Sequence, residues 1–369
     1  MSHKIKATTL DTIEAFSYIW QYWRYFGMYP DLYARRVNWG YLIVLNLLCG
    51  VIFPLLYIAS LFIPIDLNQK LANISVAVPI LYTLGKQVII VYYLRKDLPR
   101  AIRQLQALDR LAECRPEDRN YMKRMVKICH WIFWGTFVGF WFAILFYGVA
   151  DIFRHKLPFE SWILFDWQRS ELAYVCACAL QMFGMGIQTS NATCCDTYAV
   201  TYLVLLVTHL RILNERIARV GCAGASNDAE NYRELVACVE YHKECMSYFI
   251  SIRPMLSGTC FIQFLSTAWG LSTSAIAFVR GNIGFSESIK FLILFGSIII
   301  EVVPCCWFMD EVLAEMRKLT NSMYSCRWYK QNLRFRKALI IFMQRSQKIH
   351  PIVAGNLMPV SLETFTMYG

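Results

Sequence analysis

The chain has 369 residues, of which 57% are hydrophobic and only 17% charged. A soluble domain carries about a quarter charged residues and under half apolar ones, so this composition excludes a water-soluble enzyme and points to an integral membrane protein. The net charge of +11 is then read by side of a membrane and not as a nucleic-acid footprint.

No Pro/Ser/Gly-rich linker, charge block or low-complexity tract divides the chain, so a single contiguous bundle is expected. In residues 1–39, a cytoplasmic segment on the charge count, Phe16, Ile19, Trp20, Trp23 and Phe26 recur at three- and four-residue spacing, which predicts a helix lying in the membrane interface, with ordinary packing against the bundle as the alternative that gives the same stripe. Apolar stretches follow near Gly40 to Phe62, Leu71 to Leu94, Ile128 to Val149, Leu172 to Ser190, Met255 to Phe278 and Ile289 to Phe308. Each is long enough to cross about 30 Å of hydrocarbon. These spans and their extensions occupy 40–309, and a polar cytoplasmic segment covers 310–350. A seventh candidate begins near Pro351, contains Asn356, Pro359 and Glu363, and meets the terminus at Gly369. The expected fold class is all-α, a seven-helix membrane bundle whose last helix, 351–369, is incomplete.

The 37 Lys and Arg residues divide unevenly between alternating segments: 30 on one side, 6 on the other, and Lys86 inside the second span. The positive-inside rule places the amino terminus and the stretch from Arg211 to Arg253 in the cytoplasm. A G-protein-coupled receptor has the opposite orientation, and its Asp-Arg-Tyr and Asn-Pro-x-x-Tyr signatures are absent, so that class is disfavoured. Asn73-Ile74-Ser75 forms a candidate glycosylation sequon at the edge of the first outer loop.

The 14 cysteines lie mostly inside apolar runs and lack Cys-x-x-Cys spacing, so neither metal nor cofactor is expected. No nucleophile elbow, phosphate loop or His-Glu-x-x-His motif suggests catalysis. Lys86 lies about 22 Å and Glu301 about 18 Å into spans that enter from outside, at 1.5 Å per residue. Both therefore fall in the cytoplasmic half, and an intramembrane Lys86–Glu301 ion pair is the candidate arrangement, with snorkelling of Lys86 as the alternative. The outer halves hold Tyr82, Trp141, Phe142, Phe146, Tyr174, Met182, Met185, Trp269, Phe291 and Phe295. Packing accounts for such residues, and so does a cavity for a small apolar ligand oriented by Thr136, Ser272 or Tyr82.

The carboxyl-terminal third carries four blocks in order: Tyr324-Ser325-Cys326-Arg327-Trp328-Tyr329, Met343-Gln344-Arg345-Ser346-Gln347-Lys348, Ala354-Gly355-Asn356 and Ser361-Leu362-Glu363-Thr364-Phe365. With Leu157-Pro158-Phe159, Phe165-Asp166-Trp167, Asp196, Cys238 and His242, they resemble the insect odorant receptor family, over nearly the whole chain and closest to fly-type members. The resemblance implies a seven-helix subunit with a cytoplasmic amino terminus, in agreement with the charge count. It further implies a tuning subunit that forms a heterotetrameric, odorant-gated cation channel with a shared co-receptor in the plasma membrane of sensory dendrites and requires no G protein as a partner. On this resemblance the segment Arg317 to Ile349 is the inter-subunit anchor, with Tyr324 and Trp328 buried in it. The pocket for a small volatile ligand lies in the outer half, lined by candidates Val78, Leu81, Tyr82, Thr136, Gly139, Phe142, Phe146, Tyr174, Met182, Met185, Phe291 and Phe295. Family members continue for about a helix beyond the Ser361–Phe365 block, so the resemblance also implies an incomplete pore helix and doubtful conduction by this chain alone. A gustatory receptor of the same topology, or a transporter or lipid-binding assembly subunit, are the alternative readings.

Overall fold

A computed structural model describes residues 11–26, 44, 47–60, 62, 67–112, 115–153, 155–159, 163, 165–221, 228–280, 285–348 and 351–368. A 3-10 turn at Thr12–Phe16 leads into α1 (Ser17–Tyr25), and a π-type turn at Leu48–Ile52 into α2 (Phe53–Ser60). Then come α3 (Leu67–Lys96), α4 (Leu98–Ala112), α5 (Pro116–Ile152), α6 (Glu171–Ala218), α7 (Asp228–Arg280), α8 (Phe285–Ser325) and α9 (Leu333–Ser346). A two-residue hairpin, β1 (Val353–Ala354) against β2 (Met358–Pro359), precedes α10 (Leu362–Tyr368).

Among the described residues, Ala77–Lys96, Pro116–Phe146 and Glu171–Ala218 are each long and apolar enough to cross a membrane. The predicted spans at 255–278 and 289–308 are the outer portions of α7 and α8. The 48 residues of α6 measure about 72 Å at 1.5 Å per residue, more than twice a bilayer's hydrocarbon core, so the bundle continues beyond the membrane. The extension is at the end holding residues 95–127 and 211–253, which the charge count assigns to the cytoplasm; it is called the inner end below.

α6 is the central helix, and every residue from Thr197 to Leu210 is buried. It packs against α5, α7 and α8, with α3 touching it as well. Its apolar positions alternate with threonines whose hydroxyls donate to the carbonyl four residues back, as Thr197 does to Thr193 (2.6 Å) and Thr208 to Val204 (2.7 Å). That local bond lets a hydroxyl be buried in an apolar helix without a partner on a neighbour. Ser170 caps the outer start of α6 by accepting from Ala173 N at 3.2 Å. Where α6 ends, Gly221 takes φ +76°, a backbone conformation that a Cβ disfavours.

Two expectations change. The aromatic stripe of α1 is not an interfacial anchor: Phe16, Ile19 and Trp23 are at most 2% exposed. Phe16 packs on Tyr198 and Tyr202 and Trp23 on Tyr198, with ring centroids 4.7–5.4 Å apart. Large rings gain more from this complete burial in the inner core than from lying half in water. The turn before α1 is clasped as well, because buried Asp109 on α4 accepts from Thr12 N and Oγ1 at about 3.0 Å.

The second change concerns 351–369, where helix begins only at Leu362. Pro351 and Pro359 cannot donate to a helical ladder. Gly355 and Asn356, with φ +55° and +60°, form the tight turn of the hairpin, closed by Leu357 N donating to Ala354 O at 3.0 Å. Gly355 also lies so close to Phe261 of α7 that a Cβ would meet its ring at 2.5 Å. The last helix then starts against α8, where Asp310 Oδ2 accepts from Leu362 N at 2.9 Å.

Candidate functional site: an outer apolar cluster above a buried charge cluster

In the outer half, α2, α3, α5 and α6 enclose an apolar cluster of Phe53, Tyr57, Ala77, Ile80, Ile144 and Phe159, with Met182 and Met185 packed against it. Phe159 comes from the loop between α5 and α6 and is held there because Gln181 Oε1 accepts from its backbone N at 3.1 Å. The helices approach closely at glycines: a Cβ on Gly184 would run into the Phe53 ring, and one on Gly186 would meet Trp141 at 2.6 Å. Trp141 in turn donates from Nε1 to Ser190 Oγ at 3.3 Å.

The structure divides the predicted pocket residues into groups. Met182 and Met185 belong to this cluster, and Val78, Tyr82 and Phe146 are partly buried on the same helices; Gly139 faces Ile300 of α8 instead, which a Cβ would meet at 3.5 Å. Thr136 is buried, but its hydroxyl donates to Ile132 O at 2.9 Å within its own helix. Tyr174 lies above the cluster, its hydroxyl reaching the carbonyls of Ile152 and Lys156 at 3.3 and 3.0 Å, and so pins the outer loop. Leu81, Phe142 and Phe295 stand on the exterior, 42%, 63% and 41% exposed. The reason is helical phase: Leu81 follows the inward-facing Ile80 by one residue, a rotation of about 100°. The side chains of Phe291 and Asn73 lie outside the described residues. Sequence reasoning missed Phe53, Tyr57, Ile80, Ile144, Phe159 and Gln181. A Gln inside an apolar span is a signal that could have marked the last of these.

At the inner end of the membrane portion, Lys86 of α3 meets three partners. Its Nζ lies 2.8 Å from Asp196 Oδ1 on α6 and 2.9 Å from Glu301 Oε1 on α8, and it donates to Gln263 Oε1 on α7. Lys86 is thus brought together with Glu301 and does not snorkel to the surface: its side chain is 3% exposed. Asp196, quoted above only as part of a sequence block, is the more deeply buried carboxylate, 9% exposed against 22% for Glu301. The cluster ties four long helices at one level. Asp196, Gln263 and Glu301 also line a small crevice of about 20 Å³ whose lining includes Val360, two residues before α10.

At the far inner end, Tyr324 is 68% exposed and Trp328 partly buried, the two rings 6.2 Å apart. His242, on the inner part of α7, packs edge-on against Phe342 of α9, and burial pushes its imidazole down to about 4. His209 Nδ1 pairs with Tyr241 Oη at 2.9 Å. Among the described residues no group of three metal-ligating side chains converges.

The family model described as 7tm Odorant receptor matches residues 66–368. The chain belongs to the insect odorant receptor family. Odorant receptor 2a of Drosophila melanogaster is 28% identical over 96% of this chain and 94% of its own length. Odorant receptor 19a of the same fly is 25% identical over 97% and 93%. Among solved structures, the insect olfactory receptor OR5 from Machilis hrabei superposes with a TM-score of 0.76 at 16% identity, covering 97% of this chain and 96% of that one. The same receptor in complex with eugenol aligns equally well. The receptor therefore has the seven-transmembrane fold of an insect olfactory receptor, and its relatives are receptors and not enzymes.

Proposed function

We propose that this receptor is the odorant-binding tuning subunit of a heteromeric, ligand-gated cation channel, formed with the shared co-receptor in the plasma membrane of sensory dendrites. The observation that carries the reading is the outer apolar cluster, aromatic and thioether side chains of α2, α3, α5 and α6 packed together. These are the residue types that bind a small, volatile, mostly apolar ligand, whose affinity comes from area removed from water and whose orientation comes from one or two hydrogen bonds. Of the predicted lining residues, Val78, Tyr82, Phe146, Met182 and Met185 are retained as candidates, Gly139 is set aside because it faces Ile300 of α8, and Phe53, Tyr57 and Phe159 are added.

Gating follows from differential affinity. A ligand that binds more tightly when the last helix has moved outward shifts the population toward the open state by that difference alone. The exposed Tyr324 and the half-buried Trp328 support an inter-subunit role for 317–349, because aromatic side chains left open on one chain are natural anchors for another. The orientation with the amino terminus in the cytoplasm rests on the 30-to-6 division of basic residues.

The test is whole-cell current from cells expressing this chain with and without the co-receptor, challenged with a panel of volatile esters, alcohols, acids and aromatics. Odorant-evoked cation current that requires both chains, and that shifts in dose dependence with Met182→Ala or Tyr57→Phe, supports the reading. Surface expression with no evoked current from either combination would refute it.

A further inference from the structure

The charges around Lys86 do not balance. One ammonium faces two carboxylates, and its three donors are all used, on Asp196, Glu301 and Gln263. The titratable side chains brought to this level are Lys86 on α3, Cys194, Cys195 and Asp196 on α6, Cys260 on α7, and Glu301, Cys305 and Cys306 on α8. Among the described residues, Lys86 is the one base in that set. With both carboxyls ionised the cluster holds one excess negative charge, inside a bundle that spans a membrane. An uncompensated buried charge is strongly unfavourable there, and such groups are found paired or facing a polar cavity.

A second observation points to an occupant. Asp196 Oδ2 has no hydrogen-bond partner although its side chain is 9% exposed. Asp196, Gln263 and Glu301 border the same crevice, whose remaining walls are apolar or thiol groups and Thr259, whose hydroxyl donates to Met255 O within its own helix. A buried carboxylate oxygen with nothing donating to it, beside a second carboxylate, is the acceptor for a positively charged guest.

We infer that this crevice binds a second unit of positive charge between Asp196 and Glu301, supplied by a shared proton or by a monovalent cation. A divalent ion does not suit it, because hard divalent cations take six or more oxygens and the carboxylate oxygens left over by Lys86 are too few. Val360, just before α10, is part of the crevice lining, so occupancy bears on how the start of the last helix seats against α8. The inference does not depend on the odorant-channel reading, and its readout is separate from current.

The experiment is thermal unfolding of the purified full chain in nanodiscs, scanned over pH at fixed salt and over Na⁺ or K⁺ against N-methyl-D-glucamine at fixed pH. Wild type is compared with Glu301→Gln and Asp196→Asn, amides that keep the shape and remove the excess charge. A shared proton is held by the folded state and released on unfolding, so the wild-type midpoint falls as pH rises. A bound metal cation makes the midpoint rise with Na⁺ or K⁺ instead. In either case the responsive slope is lost in both variants while their midpoints stay near the wild-type maximum. Parallel profiles for wild type and variants would overturn the inference. So would variants that are destabilised at every pH as severely as Lys86→Met, or that fail to fold, since a neutral amide would then be unable to replace the compensated carboxyl.

Discussion

Removing the lysine at the centre of the charge cluster gives the sharpest test of how the bundle is held. Lys86→Met keeps the length and apolar bulk of the side chain but leaves Asp196 and Glu301 facing each other without the ammonium that now sits 2.8 and 2.9 Å away. Breaking a buried pair by deleting one partner costs about 3–5 kcal/mol. Glu301 is 22% exposed, so water recovers part of that cost, and we predict a loss near the lower end, about 3 kcal/mol. For a chain of this size that corresponds to a fall in melting midpoint of roughly 5 °C, measured by fluorescence-detected size-exclusion thermostability. Exchanging the charges in Lys86→Glu with Glu301→Lys keeps the same groups at the same level and recovers more than half of the loss. The triple change Lys86→Met, Asp196→Asn, Glu301→Gln removes every charge and also recovers most of it, because no carboxylate is then left without a partner. A single mutant indistinguishable from wild type, or a triple mutant as damaged as the single, would refute the argument.

Three further outcomes follow from the packing. Gly184→Val drives a side chain into the Phe53 ring; we predict a loss of about 1–3 kcal/mol from overpacking and partial rescue by Phe53→Ala, read as surface expression and melting midpoint. Asp109→Asn weakens the two donations from Thr12 and costs about 2 kcal/mol, as for other bonds to a charged acceptor. Hydrogen exchange should quicken across 11–26, and unchanged protection there would show that the clasp is not what holds α1. His242, pushed down to about 4 from an ordinary 6.5, binds its proton less readily folded than unfolded. Its contribution is therefore present above about pH 6.5 and is lost as pH falls toward 4, on the order of 3 kcal/mol in all. Replacing it by Phe should flatten the acid limb of the stability profile, and an unaltered limb would remove His242 from the account.

Composition and run lengths were enough to determine that the chain is a helical membrane protein, and they, with the charge asymmetry, set the expectation of where its spans lie and which side its basic loops prefer. Those properties are local or additive: a span needs only enough consecutive apolar residues, and sidedness is a sum over Lys and Arg. The sequence also placed Lys86 and Glu301 at similar depth, because helical rise converts residue number directly into distance.

Azimuth was decided by tertiary structure. Which face of each helix turns inward depends on its neighbours, so Ile80 enters the core while Leu81 faces out, and Phe142 and Phe295 do the same. Likewise the α1 stripe reads identically whether it meets lipid or protein, and only the tyrosines of α6 packed against Phe16 and Trp23 decide for protein. Asp196 was visible as a residue but not as a partner, since the helix that brings it to Lys86 is 110 positions away in sequence. The hairpin at 353–359 replaced an expected helix; its Gly-Asn turn and flanking prolines are local signals that could have marked it, but its seat on Phe261 and the junction with α10 have none. Contacts between distant segments are fixed by how whole helices pack, and no local periodicity encodes them.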